Sequence, residues 1–242
     1  MKGAIFAAGL AVLAFVSFAA SQSVVVTPRK VVYKRPKPTS AYKKTFAVIY
    51  PKVKAATPAL SARIESAINP VNVLGVNIEE ERNDIQWMEE ASYEVNYNKN
   101  GILNVKLYMF GSAAYPDGTS KLVSVDIKTG KPIEPADLFT DLKGLAAFVK
   151  KAQTKEIQAG KLELKKDPEM EETTINDLFE NTDFTIVNLK DFSISDAGIT
   201  FEYDYAFPHV IQALQPDGTF LVKWDELKPF IKRPGLLARF VR

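Results

Sequence analysis

The chain has 242 residues, 46% of them hydrophobic and 11% aromatic, enough to bury a substantial core by packing alone. It contains no cysteine, which excludes disulfides, thiol catalysis and cysteine metal sites, and one histidine, which excludes multi-histidine metal centres. The formal net charge of +2 hides an uneven distribution, with bases gathered near the N-terminus and acids in patches along the body.

Lys2 is followed by an uncharged run from Ala4 to Phe18 and then by the small residues Ala19, Ala20 and Ser21. This order is that of a secretory signal peptide over residues 1–21, with cleavage placed after Ala19 or after Ser21. The competing reading is an uncleaved membrane anchor, since the run sits at the short edge of the roughly 17 to 25 residues that span a bilayer. Export implies a secreted or periplasmic protein, and a cysteine-free exported domain fits a bacterial envelope. No cysteine is available for a lipid anchor.

Between Thr27 and Lys44 stand Arg29, Lys30, Lys34, Arg35, Lys37, Lys43 and Lys44 without one acid, interrupted by Pro28, Pro36 and Pro38. Residues 22–44 therefore read as an extended basic linker, either a solvated spacer or a contact for an anionic surface. Nucleic acid is not expected as a partner, because Glu79, Glu80, Glu81, Asp84, Glu89, Glu90 and Glu94 make the body acidic and no recognition motif is present.

Folded structure is expected from Thr45, with a strand over Phe46 to Tyr50 stopped by Pro51 and a helix from Pro58 to Asn69. Period-two alternation over Tyr93, Val95 and Tyr97, a turn at Asn98 to Gly101, and renewed alternation from Leu103 to Met109 predict a β-hairpin. A turn at Pro116-Asp117-Gly118 and a third strand through Val123, Val125 and Ile127 complete an antiparallel meander. Leu138, Leu142, Leu145, Val149 and Ala152 predict a long helix that Gly160 ends, and Thr173 or Thr174 caps a short one. Strands are expected at Phe184 to Leu189, Ile199 to Tyr205 and Thr219 to Lys223, before a last helix from Asp225 to Ile231. Without regular βαβ alternation the class is α+β, with antiparallel sheets packed against a long helix and several short ones in two tandem sub-domains. These are residues 45–135 and 136–232, followed by a basic tail at 233–242.

Several segments together resemble a known bacterial domain. They are Tyr93 to Leu103, Ala113-Ala114-Tyr115-Pro116, Val125 to Lys131, Leu138-Phe139, Phe207 to Leu214 and Trp224 to Phe230. They are similar to the paired extracytoplasmic domains of unknown function in the membrane-bound anti-sigma factor that senses lysozyme, and to the non-catalytic module of some peptidoglycan deacetylases. The resemblance spans roughly Thr45 to Lys232 and implies a ligand-binding or regulatory module. With neither an anti-sigma segment nor a deacetylase domain in the sequence, sigma-factor control and deacetylation are not carried over. The partner it implies is a lysozyme-like protein, a peptidoglycan fragment or another envelope protein.

The residues offer little catalytic chemistry. A serine nucleophile would depend on the single His209, no Gly-x-Ser-x-Gly elbow exists, and His209 after Pro208 reads as a packed structural ring. Glu202 and Asp204 fall on one strand face about 7 Å apart, a spacing that inverting glycosidases use and that any wet strand face also offers. No calcium loop or glycine-rich phosphate loop is present, so neither metal nor cofactor is expected. Tyr97, Tyr108, Tyr115 and Tyr205, at strand ends or on the polar phase, are the rings available to stack on a sugar or anchor a protein; ordinary sheet packing is the plainer reading. The candidate ligand-binding residues are thus Tyr115, His209, Gln212, Tyr97 and Tyr205. The expected function is a non-enzymatic binding or sensing module of the envelope; the alternative is a cell-wall carbohydrate-acting hydrolase or the accessory domain of a deacetylase.

Overall fold

The computed structural model describes residues 23–39, 42–112 and 116–241. The expected signal peptide and Tyr115 lie outside the described residues. No helix among those described is long and apolar enough to cross a membrane.

The architecture is α+β. A five-stranded sheet in the order β1-β2-β3-β4-β5 is built from β1 (Val25–Lys34), β2 (Thr45–Lys54), β3 (Met88–Lys99), β4 (Ile102–Ser112) and β5 (Pro116–Asp126). Neighbours are antiparallel except β2 and β3, which run parallel through Ala47↔Glu90 and Val48↔Ala91. A parallel pair needs a long crossover, and α1 (Pro58–Ala67), α2 (Pro70–Leu74) and α3 (Ile78–Asn83) supply it. Each of these helices starts where a side chain takes up orphan backbone donors: Thr57 Oγ1 accepts from Leu60 N, Asn69 Oδ1 from Val71 N, and Asn77 Oδ1 from Glu79 N. At the tip of the β3–β4 hairpin Asn100 and Gly101 both take positive φ, the requirement of a two-residue turn that matches the strand twist.

The second half carries α4 (Pro135–Leu138), α5 (Leu142–Leu164), α6 (Glu172–Leu178) and α7 (Trp224–Leu227) around a three-stranded sheet. Its strands are β6 (Phe192–Ile194), β7 (Gly198–Glu202) and β8 (Thr219–Lys223). Leu145, Ala146 and Val149 of α5 pack with Phe192, Phe201 and Val222, and the same core takes in Tyr97 and Ile102 from the β3–β4 hairpin. A separate core lies between the five-stranded sheet and the crossover helices, around Val48, Ile64, Met88 and Leu107. The sheets are also tied by polar contacts: Asn104 Nδ2 donates to the Phe192 carbonyl at 3.1 Å, and Lys99 Nζ lies 2.6 Å from Asp196 Oδ2.

Several expectations are corrected. The basic stretch is no linker. Val25–Lys34 pairs along its whole length with β2 as the outer strand of the sheet, and Pro28 sits opposite Pro51. Opposed residues in an antiparallel ladder alternate between bonded and non-bonded pairs, so two prolines facing each other cost no ladder bond. Beyond Val48, β2 has no β3 partner either, which lets it continue through Pro51. The bases of this stretch meet the acids of the body: Lys30 pairs with Glu90 at 3.7 Å, Lys43 with Glu89, and the buried Arg35 with Glu81 at 3.5 Å.

The basic tail is likewise part of the fold, since Leu237 and Val241 are buried and Phe240 stacks on Trp224 with ring centroids 4.3 Å apart. Pro116 to Gly118 opens β5 instead of forming a turn. Leu138 belongs to α4, outside the long helix. Gly160 stays inside α5, where a Cβ would stand 3.2 Å from both Phe179 Cζ and Pro216 Cγ; it serves close packing and ends nothing. Ile186–Lys190 is a 3₁₀ turn in place of a strand, because Asn188 Oδ1 accepts from Thr185 N at 2.7 Å and closes the backbone on itself.

Candidate functional site

The outer strand β5 sets the geometry of the site. Ile133 N donates to Ser124 O at 2.8 Å, and Asp126 N donates to Lys131 O at 3.0 Å, so Ser124 and Asp126 turn their backbone groups away from β4. The β4–β5 register runs unbroken from Ile102↔Asp126 to Ser112↔Pro116. Alternation along a strand then places the N–H and C=O of Leu122 and Ser120 on the same outward edge. The chain covers only the first rungs of that edge, with the bridge Val125↔Pro132, and then leaves for α4. Among the described residues no strand pairs with the edge from Gly118 to Leu122.

A cleft of about 650 Å³ runs along this edge. One side is Gly118 to Ser124; the other, from the second half of the chain, is Lys190, Asp191, Glu202, Tyr203, Asp204, Gln212 and Gln215. Two strands hold the second wall in place. Glu202 N donates to the Asp191 carbonyl at 2.8 Å, and Tyr203 N donates to Gly218 O at 2.8 Å. Asp204 Oδ1 accepts from Ala206 N at 2.8 Å and from Gln215 Nε2 at 3.1 Å, while Gln215 Oε1 accepts from Phe207 N at 2.8 Å. This network fixes the wall before any ligand arrives.

The wall is rich in carboxylates. Burial pushes the Asp191 carboxyl above its ordinary range and the nearby Glu202 adds to this, while Lys190 and Lys121 pull the other way. Glu202 is matched by Lys106 Nζ at 3.1 Å, and Lys121 Nζ is turned to the Val73 carbonyl at 3.1 Å. Among the described residues neither Asp191 nor Asp204 forms a salt bridge. Behind the cleft residue Ser124 the buried Asn104 donates to both Ser124 Oγ (2.8 Å) and Phe192 O, and its Oδ1 has no partner among the described residues. No group of three or more histidine, aspartate or glutamate side chains among the described residues is placed to hold a metal.

The candidate residues named from sequence separate. Gln212 is exposed in the cleft, and exposed His209 stands beside it with Nδ1 3.2 Å from Gln212 Oε1. Tyr97 and Tyr205 are each only 5% exposed, so neither presents a ring face to a ligand. Tyr97 packs near Phe240 and accepts from Asn100 Nδ2 at 2.7 Å. Tyr205 donates to Glu156 Oε2 at 2.7 Å, and burial followed by that contact keeps its phenol protonated far above the usual range. Glu202 and Asp204 both line the cleft, each engaged by a structural partner. Sequence reasoning missed Asp191, Lys190 and the edge at Ser120 to Leu122; the polar run Gly118-Thr119-Ser120-Lys121 was the one available sign of an outer strand.

No family model matches the sequence, and no curated protein matches it. The fold is similar to that of two solved structures of the DUF3298 family, a family of domains of unknown function. One, from Bacteroides fragilis, has a TM-score of 0.56 at 11% identity and covers 91% of this chain and 99% of that one. The other, from Pseudomonas aeruginosa, has a TM-score of 0.52 at 15% identity and covers 90% of this chain and 97% of its own. At these identities the likeness is one of fold.

Proposed function

We propose that this chain is a non-enzymatic binding or sensing module of the bacterial cell envelope, exported by residues 1–21, whose ligand sits in the cleft beside β5. The observation that carries this reading is the cleft itself, about 650 Å³ in volume and lined by polar groups from both halves of the chain. That volume is within the range small-ligand and peptide sites occupy. The short 3₁₀ helix His209–Leu214 supports it, because it buries none of its residues and leaves Val210 86% exposed and Leu214 47% exposed next to the cleft residue Gln212. The ligand is a lysozyme-like protein or a peptidoglycan fragment, as the sequence resemblance implies.

The test is a pull-down of the chain without residues 1–21 against soluble muropeptides and against lysozyme, with Gln212→Trp as the variant that fills the cleft. Binding by the wild type that the variant loses is the expected result. Absence of binding to both, or binding that Gln212→Trp leaves unchanged, overturns the reading. A hydrolase is the second reading, favoured by Glu202 and Asp204 lining one cleft. It requires muropeptide turnover by the wild type, read by mass spectrometry, that Glu202→Gln abolishes.

A further inference from the structure

We infer that the cleft takes an extended peptide segment bearing lysine or arginine, which adds a strand to the free edge of β5. This rests on the reading of the cleft as the ligand seat and names what that seat holds.

Backbone geometry supplies the first reason. Ser120 and Leu122 each direct an N–H and a C=O outward into the cleft, in the line that Lys131 to Ile133 already occupies at Val125. The chain therefore starts a sixth strand and abandons it, leaving the remaining rungs unpaired among the described residues. At about 3.4 Å per residue the edge from Gly118 to Leu122 accepts roughly five residues of partner. Natural sheets cover, twist or shorten such edges; this one is straight in register and faces a wall instead of open solvent. Strand addition gives affinity through main-chain bonds and specificity through the side chains that alternate between the two faces.

Charge supplies the second reason. With Glu202 matched by Lys106 and Lys121 turned to Val73, the wall opposite the edge retains Asp191 and Asp204, which have no salt-bridge partner among the described residues, against Lys190. A basic side chain on the added strand answers that surplus. An acidic segment would meet repulsion there.

The probe is a capped synthetic peptide of alternating valine and lysine, offered to the chain without residues 1–21. Two further versions carry N-methyl groups on alternate amides, one set on each side of the peptide. Amide hydrogen exchange reads Ser120 and Leu122 directly. The expected result is slowed exchange at both amides and affinity lowered by about tenfold or more in one methylated version but not in the other, since only one side of a strand faces its partner. Ser120→Pro removes an outward donor without touching the β4 ladder and is expected to weaken binding likewise with unchanged circular dichroism. If that variant misfolds, the paired methylated peptides still decide.

Equal affinity for all three peptides, or protection elsewhere in the chain with none at Ser120 and Leu122, overturns strand addition. So does edge-to-edge self-association of the chain through β5, detected by sedimentation. If muropeptides or lysozyme bind and Gln212→Trp blocks them while the peptide fails, strand addition falls and the cleft keeps its role. If Gln212→Trp blocks nothing, both fall.

Discussion

Lys106 of β4 reaches across to Glu202 of β7, its Nζ 3.1 Å from Oε2 and 3.3 Å from Oε1, so that one ion pair joins the two sheets where the cleft begins. Both side chains are about one-third exposed, which puts the pair between a screened surface contact and a buried one. In a double-mutant cycle of Lys106→Met and Glu202→Gln, urea unfolding is expected to give a coupling of about 1 kcal/mol, reduced by salt. A coupling indistinguishable from zero at low salt would mean that the sheets are held by the Asn104–Phe192 and Lys99–Asp196 contacts and the shared apolar core instead.

Asp191 behaves differently, because burial raises its proton affinity in the folded state. The folded protein then binds more protons at this site than the unfolded chain does. Its contribution to stability is complete below the ordinary value of 3.8 and is lost as pH climbs through the raised folded value. Glu202 beside it strengthens this trend, and Lys190 and Lys121 oppose it. Asp191→Asn is therefore expected to melt above the wild type at neutral pH, with the gap closing in acid. Weaker binding of the lysine peptide by the same variant would identify Asp191 as a group kept for its ligand at the expense of stability. A variant that is less stable at neutral pH overturns this account.

What the sequence discloses follows from how local each signal is. The β3–β4 hairpin was readable because Asn100 and Gly101 supply the turn and the alternation lies on either side of it; α1 was readable because Thr57 and Pro58 start it. The outer strand β1 was not, since its prolines and lysines are the residues that edge strands tolerate and linkers also favour. Its partner acids, Glu81, Glu89 and Glu90, lie about fifty residues further along the chain, so the basic stretch and the acidic body read as two separate features although they form one interface. The cleft had no periodic signature, because it is made of β5 backbone and of residues brought up between 190 and 215 from the ends of short elements and the loops between them. Gln212 and His209, named together among the candidates, do stand together, whereas Tyr97 is buried because alternation alone does not say which face of a strand is covered twice, and Tyr205 because β7 ends at Glu202 and the ring turns to Glu156.

Gly218 fixes one wall of the cleft and leaves no room for change. Its φ is +63°, and a Cβ would stand 1.9 Å from the Tyr203 carbonyl oxygen, while its own carbonyl accepts from Tyr203 N. Gly218→Ala is expected to cost about 3 kcal/mol, combining the left-handed backbone with the forced shift of residue 203. The cleft should suffer with it: in thermal unfolding and peptide binding measured together, both are expected to fall. A variant of wild-type stability would mean that the loop carrying Asp204 relaxes freely, contrary to the hydrogen bonds that tie it to Ala206 and Gln215.

Arg35 tests whether the N-terminal stretch belongs to the fold. Its guanidinium, 1% exposed, donates to the carbonyls of Glu81, Lys43 and Met88 at 3.0, 2.7 and 2.7 Å, faces the Glu81 carboxylate and lies 5.0 Å over the Phe46 ring. One side chain thus joins the end of β1, the following loop, α3 and the start of β3. Arg35→Leu strands the Glu81 carboxylate and the two buried carbonyls of Glu81 and Met88, so a loss of about 3–5 kcal/mol is expected. The double variant Arg35→Leu, Glu81→Gln should recover part of it, because an amide in place of the Glu81 carboxylate keeps the acceptor for Met88 N without the uncompensated charge. Removing residues 23–44 altogether is expected to be worse than either, since it also uncovers the hydrogen-bonding edge of β2. A linker would make all three changes nearly silent in urea unfolding, and that outcome would return this stretch to the role its composition suggests.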